Sequence, residues 1–193
     1  MKVGLFFGTF NPIHVGHLII ANYMVEFSDL EEVWFVITPL SPFKKKNSLL
    51  DNHHRLAIAN IAVEDYPKLK TSDIEFKLPQ PNYTVNSLIH LEEKYPNHQF
   101  CLIMGEDNLK GLHKWKNYET ILQNYEVYVY PRISEGVTEN ELLNHPKIHQ
   151  VSAPIVEISS TFIRKSIKEN YDIRAMLTPN VWKYIDEMNF YKQ

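Results

Sequence analysis

The sequence is poor in several features that mark particular classes of protein. It has one cysteine, Cys101, so an internal disulfide is excluded, and this residue lies in an apolar run that is typical of a core. No stretch approaches the roughly 20 apolar residues of a membrane span. The apolar start of the chain is also too short for a signal peptide. We therefore expect a cytoplasmic protein with no membrane contact.

An excess of charge of either sign is also missing. Lys and Arg together number 20 and Asp and Glu 23, giving a formal net charge of −3. Without a global positive field we expect no nucleic-acid partner, and any polyanionic ligand must be met by local basic groups and helix ends. The length of 193 residues fits a single domain, residues 1–193. A homo-oligomer is possible.

Apolar runs alternate with helical patterns along the chain. Strands are predicted at Lys2–Gly8, 32–38, 72–78, Gln99–Gly105, 125–130 and 147–151. Helices are predicted at Val15–Phe27, after an N-cap at Asp51, and at 82–95, Tyr118–Asn124, 160–169 and 179–188. The order predicts an α/β fold with a doubly wound, mostly parallel sheet and helices on both faces. The helices at about 160–190 are expected to pack on this domain, the last of them as structural cover.

Residues 8–17 follow the first predicted strand, where ligands of such sheets bind. Gly8 allows a sharp turn and a close approach of the backbone to a ligand, and Gly16 removes a side chain that would crowd it. His14 and His17 share a face at the start of a helix, where free N–H groups favour phosphate. Two imidazoles there can donate hydrogen bonds to a phosphate whose charge grows in a transition state.

Other interpretations of this segment fit less well. The chain has no G-x-x-x-x-G-K-S/T, and Gly4 and Gly8 do not form a G-x-G-x-x-G. A zinc site would need a third ligand nearby, and none is evident in the sequence. A loop with two surface histidines, one of them capping the helix, is the remaining alternative.

A second anion site is predicted at residues 158–164, which open the penultimate helix. Ser159 or Ser160 is a natural N-cap, and Arg164 lies about one turn inside. Hydroxyls, free N–H groups and a guanidinium thus meet at one helix end. The alternative is an ordinary capped helix with a solvated arginine.

The segment GTFNPIHVGH resembles the signature of the H-x-G-H nucleotidyltransferase superfamily, which also includes class I aminoacyl-tRNA synthetases. With the later motifs, the chain resembles the nicotinate-nucleotide adenylyltransferases from Lys2 to about Arg164. This resemblance implies a Rossmann-like fold and adenylyl transfer from ATP to nicotinate mononucleotide, giving deamido-NAD and pyrophosphate. It also implies Mg²⁺ on the triphosphate, held mainly by phosphate oxygens and water.

The resemblance assigns roles to particular residues. His14 and His17 would contact the reacting phosphates. Lys44 and Arg164 would neutralise the departing pyrophosphate. The residues implied in ATP binding are Gly8, Thr9, Phe10, Gly16, Gly105, Asp107, Ser160 and Thr161.

The lysine run after the second strand and Arg55 in the following helix each have two interpretations. The family tends to have Pro-Pro-His-Lys where this chain has Ser-Pro-Phe-Lys, which leaves Lys44 the better phosphate candidate and Lys45 in reserve. A solvated run of lysines is the alternative. Arg55 matches a family arginine and could equally be a surface residue.

The acceptor site is implied by two further motifs. Residues 83–88 resemble a Y-T-x-D-T-L turn, in which the backbone at Tyr83 and Thr84 would meet the nicotinate carboxylate. Asn86 and Ser87 replace the family's Asp and Thr there, so roles for these two side chains are not carried over.

In the second acceptor motif, Gly105, Asp107 and Trp115 fit G-x-D-x-x-x-x-L-x-x-W, whose Trp stacks on the pyridine ring. Arg132 matches a family arginine near the mononucleotide.

Four alternatives to this activity differ in substrate or in class. Pantetheine-phosphate adenylyltransferase shares the first motif and a cytidylyltransferase its logic, but residues 83–88, Trp115 and the longer chain argue against both. Nicotinamide mononucleotide is the alternative acceptor. A catalytically silent nucleotide-binding regulator would be expected to lack the motif histidines, and both are present.

Overall fold

The computed structural model describes residues 1–39, 49–132 and 141–192, and in these ranges one parallel sheet organises the chain. Its strands are β1 (Lys2–Gly8), β2 (Glu32–Ile37), β3 (Leu69–Ser72), β4 (Gln99–Gly105), β5 (Val127–Tyr130) and β6 (Ile148–Gln150). They lie in the order β3-β2-β1-β4-β5-β6, and every neighbouring pair is parallel. The predicted fold class is confirmed.

Helices lie in most of the crossovers between the strands, as is usual for parallel pairing. They are α1 (Val15–Phe27), α2 (Asn52–Val63), α3 (Thr84–Lys94), α4 (Glu106–Lys110), α5 (Tyr118–Asn124), α6 (Ser160–Lys168) and α7 (Pro179–Glu187). Short 3₁₀ turns lie at Ile74–Lys77, Leu112–Lys114, Glu141–Asn144 and Arg174–Met176. Within the described ranges, none of the helices is long and apolar enough to span a bilayer.

The sheet separates two hydrophobic cores because successive side chains of a strand point to opposite faces. On β1, Phe6 belongs to the core that contains residues of α1, α2, α6 and α7, whereas Leu5 belongs to the core with α3 and α5. Val181 and Ile185 join α7 to the first of these cores. Both faces of the sheet are therefore covered, and the interior strands are apolar along most of their length.

The predicted strand at residues 72–78 is wrong. β3 lies earlier, and residues Ile74–Lys77 form a 3₁₀ turn instead. The alternating pattern misled because Glu75, which it places on a solvent face, is buried and accepts a hydrogen bond from Ser87 Oγ at 2.6 Å. Helix α4 was not predicted, because its five residues are too few to display a helical period.

The strand order reverses between β1 and β4, and this switch point locates the ligand crevice. β1 pairs with β2 on one side and with β4 on the other. Gly8 ends β1 and Gly105 ends β4, so the segments after both glycines meet at the carboxyl edge of the sheet. The first predicted motif follows Gly8 directly.

Arg55 ties two loops at this edge to α2. Its side chain is fully buried, so the alternative of a surface arginine is wrong. The guanidinium donates to the backbone carbonyls of Thr9, Thr38 at 2.9 Å, Pro39 at 3.3 Å and Leu50 at 3.0 Å, and to Asn52 Oδ1 at 2.6 Å. The loops after β1 and β2 are thus anchored by one side chain.

Replacing Arg55 by Met should destabilise the fold, because it leaves buried carbonyls without donors. An unsatisfied buried acceptor costs about 1–3 kcal/mol, so we expect the free energy of unfolding to fall by about 3 kcal/mol or more. Urea titration measures the change. Arg174→Met is the control, since Arg174 is exposed and bonds to Asp172 at the surface. An Arg55→Met protein as stable as the control would show that the guanidinium does not hold these loops.

Candidate active site

His14 and His17 form a fixed pair at the start of α1. His14 is the N-cap residue, in extended conformation, and its side chain is buried. The two rings stack with centroids 3.7 Å apart, and the His14 backbone N–H donates to His17 Nδ1 at 3.3 Å. A neutral His17 therefore carries its proton on Nε2. Because His14 is buried, the alternative of two surface histidines is wrong.

The glycines of this segment make room for its rings. A Cβ on Gly8 would lie 2.8 Å from the ring of Phe10, which is buried and has a positive φ of 42°. Phe10 in turn packs against His17, with ring centroids 5.0 Å apart. A Cβ on Gly16 would lie 3.0 Å from both His14 Nδ1 and Val156 Cγ1. Gly16 was predicted to leave room for a nucleotide. In the structure, the missing side chain leaves room for the His14 ring.

His14 is neutral at physiological pH. Burial lowers the pKa of His14 to about 4, and the positive charge of Arg132 acts in the same direction. Within the described part of the chain, His14 Nδ1 is buried without a hydrogen-bond partner. A neutral imidazole can donate one hydrogen bond to a phosphate. This interaction needs no transfer of a proton from the ring.

Acid should destabilise the wild-type protein more than a His14→Gln variant. The pKa is about 4 in the fold and 6.5 in a free histidine, so between these values the unfolded chain binds a proton that the folded chain excludes. This stability is present above about pH 6.5 and is lost as the pH falls towards about 4. At about pH 5 the difference is about 2 kcal/mol, taking 1.36 kcal/mol per pKa unit.

The measurement is thermal unfolding at about pH 7 and about pH 5. His113→Gln is the control, because His113 is exposed, and it should keep the wild-type pH dependence. Identical pH dependence in His14→Gln and wild type would mean that His14 is not held neutral by the fold.

The second predicted segment docks on the first. Ser159, rather than Ser160, is the N-cap of α6, because its side chain accepts from the Phe162 N–H at 3.1 Å. Ser160 Oγ instead donates to the Pro12 carbonyl at 2.8 Å. Two predicted anion sites that are about 150 residues apart in sequence therefore share one location.

Arg164 makes the same connection from inside α6. Its Nη1 donates to the Asn11 carbonyl at 2.8 Å, and its Nη2 lies 3.3 Å from Thr161 Oγ1. Arg164 as a whole is half-buried. The alternative of a wholly solvated arginine is therefore wrong.

A cavity of about 230 Å³ lies next to the first segment and collects the predicted acceptor residues. Tyr83, Thr84 and Trp115 line it, and so do Gly8 and Thr9. Thr84 is the first residue of α3, so the first-turn N–H groups of that helix have no intrahelical acceptor. The cavity thus combines an aromatic side chain with a helix start.

Sequence reasoning missed several groups that line this cavity. They are Thr38, Glu75, Asn82, Asn108, Lys114 and Lys116, together with apolar residues of β1 and β4. Lys116 Nζ lies 4.5 Å from the centroid of the Tyr83 ring. The signal that would have found these lysines is their position on either side of Trp115.

Buried groups lie behind the start of α3, and one of them, Ser87, is a changed residue of the family motif. Ser87 donates to Glu75 Oε1 and so supports the turn from inside. Asn82 is also buried, and its Nδ2 donates to the Glu75 carbonyl at 3.1 Å. Burial raises the pKa of Glu75, which favours its neutral form beside the cavity. Asn86 is half-buried on the same helix.

Arg132 lies on the phosphate side and does not line the cavity, although the family resemblance implies a position near the mononucleotide. It stacks over Tyr130, with the guanidinium carbon 5.5 Å from the ring centroid. A Cβ on Gly105 would lie 3.2 Å from Arg132 Cγ and would collide with Asp107. Gly105, Asp107 and Arg132 therefore form one group beside His14. Lys44 and Lys45 lie outside the described residues.

Taken together, the parallel sheet and its switch point carry a histidine pair at one helix start and an arginine at another. Helix starts favour phosphate, and a cavity lined by Trp115 lies next to the first of the two. This combination defines a nucleotidyltransferase.

Comparisons with known proteins agree with this class. Residues 5–166 match the model of the cytidylyltransferase-like family. The chain is 65% identical over 193 residues to a probable nicotinate-nucleotide adenylyltransferase of Flavobacterium psychrophilum, covering 100% of both chains. It is 68% identical over 191 residues to the probable nicotinate-nucleotide adenylyltransferase of Christiangramia forsetii, covering 99% of this chain and 98% of the relative.

The fold has a close counterpart among solved structures. Nicotinic acid mononucleotide adenylyltransferase of Plasmodium falciparum, complexed with NaAD, superposes with a TM-score of 0.81 at 22% identity, covering 98% of this chain and 97% of that one. With the relatives at higher identity, the conclusion is direct: this chain belongs to the nicotinate-nucleotide adenylyltransferase family and is an enzyme of NAD biosynthesis.

Proposed function

We propose that this site transfers the adenylyl group of ATP to nicotinate mononucleotide, giving deamido-NAD and pyrophosphate. The observation that carries the proposal is the docking of α6 on the first segment, with Ser160 on Pro12 and Arg164 on Asn11, each at 2.8 Å. Groups suited to a triphosphate thereby lie beside the cavity that contains Trp115.

The chemistry needs positioning more than activation. A phosphate oxygen of the mononucleotide attacks the α-phosphorus of ATP, and the bond from that phosphorus to the β-phosphate oxygen breaks in line with it. The electron pair of that bond leaves with pyrophosphate. Because a phosphate monoester is already a nucleophile at neutral pH, no protein nucleophile or strong base is required. This agrees with a neutral His14.

The charged groups divide between the reacting phosphates and the leaving group. His14 and His17, with the N-terminus of α1, would stabilise charge on the reacting phosphates. Arg164 and Lys44 would neutralise pyrophosphate as it leaves. The further residues proposed to bind ATP are Gly8, Thr9, Phe10, Gly16, Gly105, Asp107, Ser160 and Thr161.

Mg²⁺ enters this proposal as part of the MgATP substrate. The ion prefers oxygen ligands and keeps several waters. Phosphate oxygens and water can therefore coordinate it without ligands from the protein. Among the described residues there is no group of three or more His, Cys, Asp or Glu that could hold a metal ion.

Replacing His17 by Ala should abolish most turnover while the protein stays folded, because His17 acts on transition-state charge and is only half-buried. Loss of one preorganised donor lowers kcat on the order of 10²–10³-fold. Pyrophosphate release measures turnover, and circular dichroism checks the fold. A folded His17→Ala enzyme with wild-type turnover would remove His17 from the mechanism.

Acceptor choice follows from the electrostatics of the cavity. The N-terminus of α3 and the ammonium of Lys116 both favour an anion beside Tyr83. Burial raises the pKa of Glu75, which disfavours a competing negative charge at this point. A carboxamide would instead bring its own N–H groups towards these donors and leave a buried group unpaired. We therefore propose that nicotinate mononucleotide is preferred over the nicotinamide form, with Tyr83, Thr84 and Trp115 around its ring.

The preference of the wild type, measured as the ratio of kcat/KM for the two acceptors, should be about ten- to a hundredfold. Lys116→Met should reduce this ratio about two- to fivefold, the range for an exposed charge. Lys94→Met is the matched control, because Lys94 lies 5.1 Å from the Tyr95 ring in the same arrangement but does not line the cavity. Trp115→Ala should weaken both acceptors alike. Equal efficiency with both acceptors in the wild type contradicts the carboxylate preference.

The setting of the enzyme completes the proposal. We propose a cytoplasmic location, without nucleic-acid or membrane partners. The proposal allows a homo-oligomer. Support comes from Cys101, which is a free, buried thiol. Burial raises the pKa of Cys101 to about 12, so the thiol stays protonated and unreactive, as suits a structural cysteine in a reducing compartment.

A further inference from the structure

The chain after α7 folds back onto the first segment. Tyr191 lies only a few residues beyond the end of that helix, and its hydroxyl donates to Asn11 Oδ1 at 2.8 Å. The two residues are separated by 180 positions in sequence. The sequence identifies the C-terminal helix as cover for the core, but this contact brings the chain end to the proposed phosphate site.

Asn11 joins Tyr191 to Arg164. Its Oδ1 accepts both the Tyr191 hydroxyl and the Leu50 backbone N–H, the latter at 3.2 Å. Its own carbonyl accepts from Arg164 Nη1 at 2.8 Å. Asn11 is 2% exposed, so the amide has little freedom beyond these bonds. A change in the hydrogen bonds of the Asn11 side chain would therefore shift the Asn11 carbonyl, which orients Arg164.

Tyr191 is itself held in an unusual state. Its backbone φ is +65°, in the left-handed region that bulky residues seldom adopt and that persists only where the surroundings fix it. Phe190 before it packs on His54, with ring centroids 4.8 Å apart. Burial raises the pKa of Tyr191, and the charges of Arg164 and Arg55 oppose that rise, so both guanidiniums lie near the phenol.

We propose that Tyr191 is a positioning residue for the triphosphate side of the site. It holds Asn11, and Asn11 presents the carbonyl against which the Arg164 guanidinium is oriented. Its role rests on the proposed function, because Arg164 is the group assigned there to pyrophosphate. Tyr191 touches no reacting atom, and it acts only through this chain of hydrogen bonds.

Tyr191→Phe tests this role, since it removes the hydroxyl and keeps the ring. We expect kcat/KM for ATP to fall about three- to tenfold, the value of one net hydrogen bond, while KM for the mononucleotide changes less than about twofold. Affinity for a non-hydrolysable ATP analogue, measured by calorimetry, should weaken by the same factor. Tyr184→Phe is the matched control, because its hydroxyl lies 3.5 Å from His54 Nδ1, away from Asn11, and ATP kinetics should not change.

A double-variant cycle shows whether Tyr191 acts through Asn11. If it does, Tyr191→Phe combined with Asn11→Ala should be no worse than Asn11→Ala alone. Losses that multiply in the double variant would overturn the proposal. So would an unchanged ATP analogue affinity accompanied only by a lower Tm, or equal losses for ATP and the mononucleotide.

The failure of the proposed function would look different from failure of this role. A wild-type enzyme that releases no pyrophosphate with any mononucleotide would sink the function, whereas analogue binding still reports on Tyr191. Unchanged analogue affinity in Tyr191→Phe, in an active wild-type background, would sink the role alone.

Discussion

The site depends on how the carbonyl groups of the segment after β1 are satisfied. A turn that presents its N–H groups to phosphate directs carbonyls the other way, and buried carbonyls need donors. Arg55 binds the carbonyl of Thr9, Arg164 that of Asn11, and Ser160 that of Pro12. Donors from α2 and α6 therefore hold the carbonyls of the segment in place.

This constraint explains which features could be predicted from the sequence. The strand at Lys2–Gly8 and the helix at Val15–Phe27 follow from local hydrophobic periodicity and were predicted with their observed bounds. The hydrogen bonds from Arg55 to backbone carbonyls could not be predicted in this way. A side chain that binds a distant part of the backbone produces no pattern in the intervening sequence. Glu75 shows the same limit, since the hydrogen bond that it accepts from Ser87, 12 residues further along the chain, leaves no local pattern.

The two halves of the site meet their anions in different ways. On the phosphate side a neutral His14, the fixed His17 and a half-buried Arg164 are held by hydrogen bonds and stacking, so little reorganisation is needed when charge develops. On the acceptor side the positive charge comes from Lys114 and Lys116, which are exposed. Preorganised groups are therefore concentrated where bonds would break, and exposed charges where a substrate would enter.

The switch point connects these halves through the end of β1. Gly8 and Thr9 line the acceptor cavity and also begin the segment that leads to His14. Because Arg55 fixes the Thr9 carbonyl from behind, the two binding regions cannot shift independently without breaking a buried bond. In-line transfer requires the attacking oxygen and the leaving oxygen to be held in one fixed relation. The end of β1 belongs to both binding regions and is held by Arg55, and in this way the parallel sheet meets that requirement.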